Sequence, residues 1–391
     1  AAVRRDRARL AADLREAVDA GGRMFLVASG TSSHAALTGA RFFTALAGLA
    51  VFPCNPGTFR SLYLDALGPR DVVLAITQSG ETKDLVDILV DVAAARPSVR
   101  RVCLVNNENS RIPQELVDYY LPLLCGPEIA VAATKSFVSQ LAILYLLAGS
   151  FTRPDAVLAA DLTEARRLVE ATLRDCGPAL DEVAERLALE PSLHILGSSL
   201  IGVAKEGALK VREVVLNHTE GYDAAEFKHG PNTILGKNTL FSISDLEALA
   251  AAYAHGEPAG GFAAAVEQLF GNYPLVFVCP PNARDARITI SQIHTHKIRG
   301  ADIVLLAEPD AALRLAVEGV PAGFDDYWAR CVDLPAGGDE HLFVFSASVA
   351  LQRLALRMCE IKMRHLDALG IADHGVHPDA PKNVSKSITV D

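Results

Sequence analysis

The sequence has no apolar run of membrane-spanning length, no closely paired cysteines and no excess of positive charge. Its longest apolar stretch, LAILYLLAG at 141–149, is about half of the roughly 20 residues that a membrane-spanning helix needs. The opening stretch AAVRRDRARLAADLREAV is charged and amphipathic, and it lacks the apolar centre of a signal peptide. We therefore expect a cytoplasmic protein that is neither secreted nor inserted in a membrane.

The missing motifs narrow the possible ligands. Seven scattered cysteines without a C-x-x-C pair predict reduced thiols rather than disulfides or a zinc site. A net charge of −10 argues against a nucleic-acid partner, although local amides and hydroxyls can still hold a small anion. Neither a Walker A loop nor a G-x-G-x-x-G fingerprint occurs, which disfavours nucleotides. We expect no metal and no cofactor.

What the sequence does contain is an alternation of strands and helices in a chain long enough for two domains. After a helix at 2–19, apolar strands are predicted at 24–28, 49–54, 71–76, 101–107 and 118–124, with helices between them. The layout of MFLVASGTSSHAALTGARFF recurs at 193 in LHILGSSLIGVAKEGALKVREV, and further strands are predicted at 275–280 and 301–308. The pattern predicts an α/β protein with two doubly wound domains, each a parallel sheet with flanking helices.

The predicted boundaries follow from this pattern. We expect an N-terminal helix at 1–20, a first domain at 21–150, a helical linker at 151–190 and a second domain at 191–391. The second domain carries an insertion near 236–273 with one or two helices. It ends in a proline-rich tail after a long helix at about 343–369.

Two polar turns follow predicted strands. TQSGET at 77–82 has more hydrogen-bond donors than a turn needs, and SGTS at 29–32 has a similar composition. In an open parallel sheet, ligands bind beyond the carboxyl ends of the strands, where the amides of helix N-termini attract anions. One such turn is typical of a helix cap, but two at the same edge favour a phosphate site.

A third stretch, EGALKVREVV at 206–215, predicts a helix with Lys210 and Glu213 on one face. A surface ion pair is the ordinary interpretation of such spacing. The apolar neighbours indicate instead that the face is packed and the charges are partly enclosed. An enclosed carboxylate can remove a proton beside a carbonyl.

Taken together, the motifs SGTSSH, TQSGET, EIAVAATKSF, EGALKVREVV, AAEFKHGP and KNVSKSITVD make the chain resemble one family, the isomerase half of glucosamine-6-phosphate synthase. That half consists of two sugar isomerase (SIS) domains, and the resemblance runs from about residue 20 to 391 apart from the insertion.

The resemblance implies catalytic roles in the interconversion of aldose and ketose phosphates. Glu213 would move a proton between C1 and C2, Lys210 would stabilise the enediol or enediolamine, and Glu206 would orient Lys210. His229 would open the sugar ring from the neighbouring subunit, which implies a homodimer. Lys386, in the C-terminal tail, would form a Schiff base with the open ketose.

The resemblance also implies the substrate contacts: the phosphate would be held by Ser32, Thr77, Gln78, Ser79 and Thr82, and the sugar by Thr31, Val131 and Thr134. Ala133 departs from the family, which carries serine there, so the substrate can differ from that of the synthase.

The chain contains no candidate for the terminal cysteine nucleophile of the synthase's glutaminase domain, and we interpret its amphipathic first helix as a true start. The expected function is therefore that of a free-standing enzyme acting on glucosamine-6-phosphate or a derivative, by isomerisation or deamination to fructose-6-phosphate. The alternatives are a dehydratase that eliminates water from N-acetylglucosamine-6-phosphate and a sugar-phosphate sensor without activity.

Overall fold

The computed structural model describes residues 2–236, 242–256, 261 and 271–379. The chain divides between Thr163 and Glu164 into two compact units. Within the described ranges, no helix combines the length and the apolar character needed to cross a membrane.

The first unit is built around a five-stranded parallel sheet in the order β2-β1-β3-β4-β5. Its elements are α1 (Ala2–Asp19), β1 (Met24–Ala28), α2 (Thr31–Phe42), β2 (Phe52–Cys54), α3 (Pro56–Leu62), β3 (Val72–Thr77), α4 (Lys83–Ala95), β4 (Arg100–Val105), β5 (Tyr119–Pro122) and α5 (Lys135–Gly149).

Both faces of this sheet are covered, which explains why its central strands are apolar throughout rather than alternating. Phe25 and Val73 lie in one core cluster with Leu85 and Ile88 of α4. The next residues along the strands are equally buried, and α2 packs against β1, β3 and α5.

Two helices, α6 (Asp155–Asp175) and α7 (Gly177–Leu187), occupy most of the predicted 151–190 linker. The division between the two units falls inside α6.

The second unit repeats the topology of the first. Its elements after α7 are β6 (Ser192–Gly197), α8 (Ile201–Val214), β7 (His218–Asp223), α9 (Ala224–Phe227), α10 (Ile243–Ala254), β8 (Tyr273–Val278), α11 (Ala283–Lys297), β9 (Ala301–Ala307), α12 (Ala311–Glu318), β10 (Ala329–Asp333) and α13 (Phe343–Ala368). The sheet runs β7-β6-β8-β9-β10 and is parallel throughout, so both units share one strand order. The α/β architecture with two doubly wound domains is confirmed.

Some local predictions need correction. The first polar turn is shorter than expected because α2 already begins at Thr31, and β2 covers only the end of the predicted strand at 49–54. The edge strands β7 and β10 were not predicted, because HTEGYD and ARCVD lack a long apolar run. Of the 236–273 insertion the structure describes mainly α10, and the tail at 380–391, with Lys386, lies outside the described residues.

Candidate active-site residues

The TQSGET loop links β3 to α4 at the carboxyl edge of the first sheet. The neighbouring strand β1 leads into the other polar turn, so the two loops follow paired strands, as the sequence predicts. The strand order changes direction at this pair, and such a switch point is where ligands bind in open α/β sheets.

The hydroxyl groups of the loop are ordered by hydrogen bonds within it. Thr77 Oγ1 accepts from the Gly80 amide at 3.2 Å and lies 3.2 Å from Thr82 Oγ1. Ser79 Oγ accepts from the Glu81 amide, also at 3.2 Å. A hydroxyl that accepts an N–H bond keeps its own hydrogen as a donor. Ser79 therefore keeps its hydrogen as a donor for a phosphate, whereas one of the Thr77 and Thr82 hydroxyls donates its hydrogen to the other.

Gly80 is required by the shape of the loop. Its φ of 69° lies in the left-handed region, and a Cβ at this position would meet Ser110 Oγ at 1.7 Å. The Gly80 carbonyl accepts from the Ile112 amide at 3.1 Å, and the Glu81 carboxylate accepts from the Arg111 amide at 2.7 Å. These bonds tie the loop to the segment that follows β4 and turn the Glu81 carboxylate toward that segment.

The second polar turn starts α2 with Thr31 and Ser32, both buried, after Gly30 in the left-handed region. Gly30 supplies no side-chain cap to α2, and Thr82 supplies none to α4. The first turn of α2 contains no acidic residue, so its amides can attract an anion, whereas Asp84 lies in the first turn of α4.

The segment that contains Val131 and Thr134 precedes α5, and Glu128 holds it in place. The Glu128 carboxylate accepts from the amides of Thr134, Lys135 and Ser136 at 2.8, 3.3 and 3.2 Å, and from the Ser136 hydroxyl at 2.6 Å. It therefore caps α5 from a distance in sequence, which leaves Thr134 at the N-cap position.

An open depression of about 590 Å³ lies at the same sheet edge, beyond β3, β4 and β5. Burial raises the pKa of the nearby Cys125 thiol, which disfavours a thiolate nucleophile there. The lining residues are Gln78, Asn106, Asn107, Glu108, Leu124, Gly126, Pro127 and Glu128.

In the second unit, α8 brings three charged side chains into contact. Lys210 Nζ donates to Glu213 Oε2 at 2.6 Å and forms an ion pair with Glu206 Oε1 at 3.3 Å. The side chains of Lys210 and Glu206 are 2% and 3% exposed, whereas that of Glu213 is 21% exposed. The helix thus carries a buried cation flanked by two carboxylates, of which Glu213 alone reaches the surface.

His229 is exposed, in the turn after α9. Its amide donates to the Glu226 carbonyl at 2.9 Å, and Gly230, with φ 131°, leads into the single turn Pro231–Ile234. The backbone is therefore fixed while the imidazole faces outward, as an acid or base for a neighbouring molecule would require.

The turn after β6 corresponds in topology to the phosphate turn of the first unit, but its hydroxyls have internal partners. Ser198 Oγ lies 2.6 Å from Thr289 Oγ1, and Ser199 Oγ donates to the Asp285 carboxylate. Asp285 also accepts from Asn282 Nδ2 at 3.0 Å. The Asp285 carboxylate is therefore hydrogen-bonded to this turn through Ser199.

Two site residues escaped the sequence prediction. Glu128 caps α5, and Gln140 of α5 is fully buried with its Nε2 donating to Ser32 Oγ at 2.9 Å. A lone amide inside the apolar stretch SFVSQLAILYLLAG is the signal that could have indicated Gln140. Glu128 begins the motif EIAVAATKSF, but its bonds to three amides and to the Ser136 hydroxyl cannot be read from the sequence.

Comparison with known proteins agrees with the fold. Residues 18–150 match the family model described as SIS domain. The chain contains an SIS domain. This SIS-domain protein is 29% identical over 378 residues to the glutamine–fructose-6-phosphate aminotransferase (isomerizing) of Thermococcus kodakarensis, an alignment that covers 94% of this chain and 52% of the relative.

A shorter alignment gives higher identity. The enzyme of the same name from Aquifex aeolicus is 37% identical over 218 residues, 55% of this chain and 36% of the relative. The C-terminal domain of glucosamine-fructose-6-phosphate aminotransferase from Francisella tularensis has the same fold, with a TM-score of 0.68, 24% identity and coverage of 87% and 85% of the two chains. The alignment with the Thermococcus kodakarensis enzyme covers nearly all of this chain but only about half of that relative.

Proposed function

We propose that this SIS-domain protein is an enzyme that isomerises or deaminates an amino-sugar 6-phosphate, with glucosamine-6-phosphate as the first candidate substrate. The observation that carries the proposal is the Glu206–Lys210–Glu213 arrangement of α8. It combines a partly exposed carboxylate with a buried cation 2.6 Å away.

The reaction follows from the chemistry of these groups. With the sugar ring open, Glu213 removes the proton from C2, and the electrons move onto the C1 carbonyl oxygen. The Lys210 ammonium beside Glu213 stabilises the negative charge that develops. Return of the proton to C1 gives a C2 imine. Attack of the Lys386 amine on this imine releases ammonia and leaves a Schiff base, which water hydrolyses to fructose-6-phosphate and the free lysine.

Other groups take the roles that the family resemblance implies. Ser32, Thr77, Gln78, Ser79 and Thr82 bind the phosphate, while Thr31, Val131 and Thr134 contact the sugar. The hydroxyls of the serines and threonines in this set, together with the amides that start α2, support the phosphate assignment. His229 opens the ring across a homodimer, and Lys386 forms the Schiff base; its geometry lies outside the described residues.

The decisive experiment is to incubate the protein separately with glucosamine-6-phosphate, its N-acetyl form, and fructose-6-phosphate plus ammonium, and to follow ammonia and product mass. Ammonia from the first substrate supports the proposal. We expect Glu213→Gln to lower kcat by about 10²- to 10⁴-fold with KM little changed, because a general base is lost while the phosphate contacts remain.

Glu220→Gln is the matched control. Glu220 lies on β7 with its side chain 41% exposed, and it pairs with Arg212 of α8 at 2.9 Å, so its loss should leave turnover unchanged. Loss of one water from the N-acetyl sugar would replace the proposal by a dehydratase. Binding of these sugars without turnover would contradict an enzyme and favour a sensor.

A further inference from the structure

Gln140 is a buried amide whose placement is explained by the hydrogen bond that it donates to Ser32. The side chain lies inside α5 with no exposed surface, and Ser32 is 5% exposed. Close packing of α2 on α5 makes their contact possible, because Gly39 of α2 lies where a Cβ would be only 2.7 Å from Leu144 of α5. The helices meet closely enough for Gln140 Nε2 to reach Ser32 Oγ at 2.9 Å.

The direction of this hydrogen bond decides what Ser32 can do. Because the amide N–H is the donor, Ser32 Oγ is the acceptor, and the hydroxyl keeps its own hydrogen. The opposite amide orientation would make Ser32 donate to Gln140 Oε1 and would direct that hydrogen into the protein. A phosphate dianion offers only acceptors, so it gains a bond from Ser32 only in the first arrangement.

Gln140 Oε1 is buried and has no hydrogen-bond partner among the described residues. Buried polar atoms are nearly always paired, since an unpaired one lowers stability. The bond to Ser32 is therefore the interaction that the amide is placed to make.

We infer that Gln140 is a positioning residue that fixes the Ser32 hydroxyl as a hydrogen-bond donor to the substrate phosphate. The inference rests on the proposed phosphate-binding role of Ser32 and adds a residue that itself contacts no substrate. Gln140 acts through Ser32 alone, so its contribution disappears when the hydroxyl is absent.

A double-mutant cycle tests this with inorganic phosphate as the probe, titrated by calorimetry, so that no turnover is needed. The variants are Ser32→Ala, Gln140→Leu and the combination of the two. We expect Ser32→Ala to weaken phosphate binding roughly tenfold, since a hydrogen bond to a charged group is lost. Gln140→Leu should weaken it about threefold to tenfold, and it should add nothing when Ser32 is already alanine.

Gln140→Glu is the sharper variant. A carboxylate here accepts from the Ser32 hydroxyl and places a negative charge behind it, so phosphate affinity should fall further than in Gln140→Leu. Leucine has nearly the volume of glutamine and removes the unpaired Oε1, so Gln140→Leu remains informative if the glutamate variant does not fold. With substrate, both variants should raise KM while kcat changes less than about twofold.

The outcomes separate the inference from the function on which it rests. If Ser32→Ala weakens phosphate binding but Gln140→Leu does not, or if Gln140→Leu costs the same with and without the Ser32 hydroxyl, Gln140 is only structural. The inference is then wrong and the phosphate site stands. If the unmodified protein binds neither phosphate nor the sugar phosphates, both are overturned.

Discussion

Lys210 and Arg212 lie two residues apart on α8, but the two charges differ in burial and in the number of carboxylates that they contact. Lys210 is 2% exposed and touches two carboxylates, whereas Arg212 pairs with Glu220 in a contact that is 38% exposed on the arginine side. A buried charge is stable only while its partners remain, whereas an exposed pair contributes little. The two pairs should therefore respond differently to mutation.

We predict that Lys210→Met lowers the free energy of unfolding by about 3 kcal/mol, because it removes the cation from beside the buried Glu206 carboxylate. Glu206→Gln combined with Lys210→Met should recover part of that loss, since the remaining buried group is then neutral. Urea unfolding followed by circular dichroism measures both.

Arg212→Met provides the comparison on the same helix. Its effect should stay below about 1 kcal/mol, as for other exposed ion pairs. Equal losses of unfolding free energy in the two methionine variants would mean that the buried Glu206–Lys210–Glu213 arrangement contributes no more to stability than an exposed ion pair.

Among the elements, α5 depends at its start on a residue that precedes it by seven positions. Glu128 accepts four hydrogen bonds there, three of them from backbone amides. We predict that Glu128→Ala destabilises the protein by about 1–2 kcal/mol, the cost of a lost cap. It should also raise KM for the sugar phosphate, because Val131 and Thr134 belong to the segment that Glu128 holds.

Asp310→Ala tests whether the loss of any helix cap raises KM, as is predicted for Glu128→Ala. Asp310 caps α12 by accepting from the Leu313 amide at 2.8 Å. Its replacement should lower the midpoint of thermal unfolding without changing KM. A Glu128→Ala variant with unaltered KM would show that this segment takes no part in substrate binding.

The elements also show what the sequence could and could not predict. β1 and β3 are recognisable because a strand covered on both faces must be largely apolar, and β4 and β9 contain the apolar runs VCLV and IVLLA after Arg101 and Asp302. β7 and β10 are edge strands, and β7 contains Gly221 between polar residues, so pairing with a neighbour defines them rather than composition. Lys210 and Glu213 were placed on one face from their spacing, but the contact of Gln140 with Ser32 joins positions 108 residues apart.

At the scale of the whole molecule, buried histidines contribute to the dependence of stability on pH. Burial lowers the pKa of His296 to about 4, with Arg299 and Lys228 acting in the same direction. Between pH 6.5, the ordinary value for histidine, and about pH 4, the unfolded chain binds a proton that the folded chain does not. Stability is therefore lost as the pH falls through this window.

We predict that His296→Leu, relative to the unmodified protein, gains on the order of 2 kcal/mol of stability between pH 6.5 and pH 4.5. Both nitrogens of the His296 ring are buried without a hydrogen-bond partner among the described residues, so leucine removes the titration without breaking a bond. Urea unfolding at several pH values provides the measurement. Exposed His255→Leu is the control, and a parallel shift in both variants would exclude His296 as the cause.

The proposed homodimer makes a quantitative prediction. If His229 acts on the partner's substrate, then His229→Asn and Glu213→Gln, each inactive alone, should complement one another. Random assembly at equal amounts makes half of the dimers mixed, each with one complete site, so about a quarter of the normal activity should return. Co-expression with two different affinity tags allows the mixed dimer to be isolated. A mixed dimer as inactive as its parents would place His229 in the same subunit as its Glu213.

The shared strand order of the two sheets has a consequence for how the function of such a chain can evolve. In the second unit the Asp285 carboxylate is hydrogen-bonded to the corresponding turn through Ser199. Under the proposed function, one sheet recognises the phosphate handle common to many metabolites, while the other carries the groups that react. Mutations on α8 can then change the reaction while phosphate binding is kept. Mutations around α5 can change which sugar is bound while the general base Glu213 is kept.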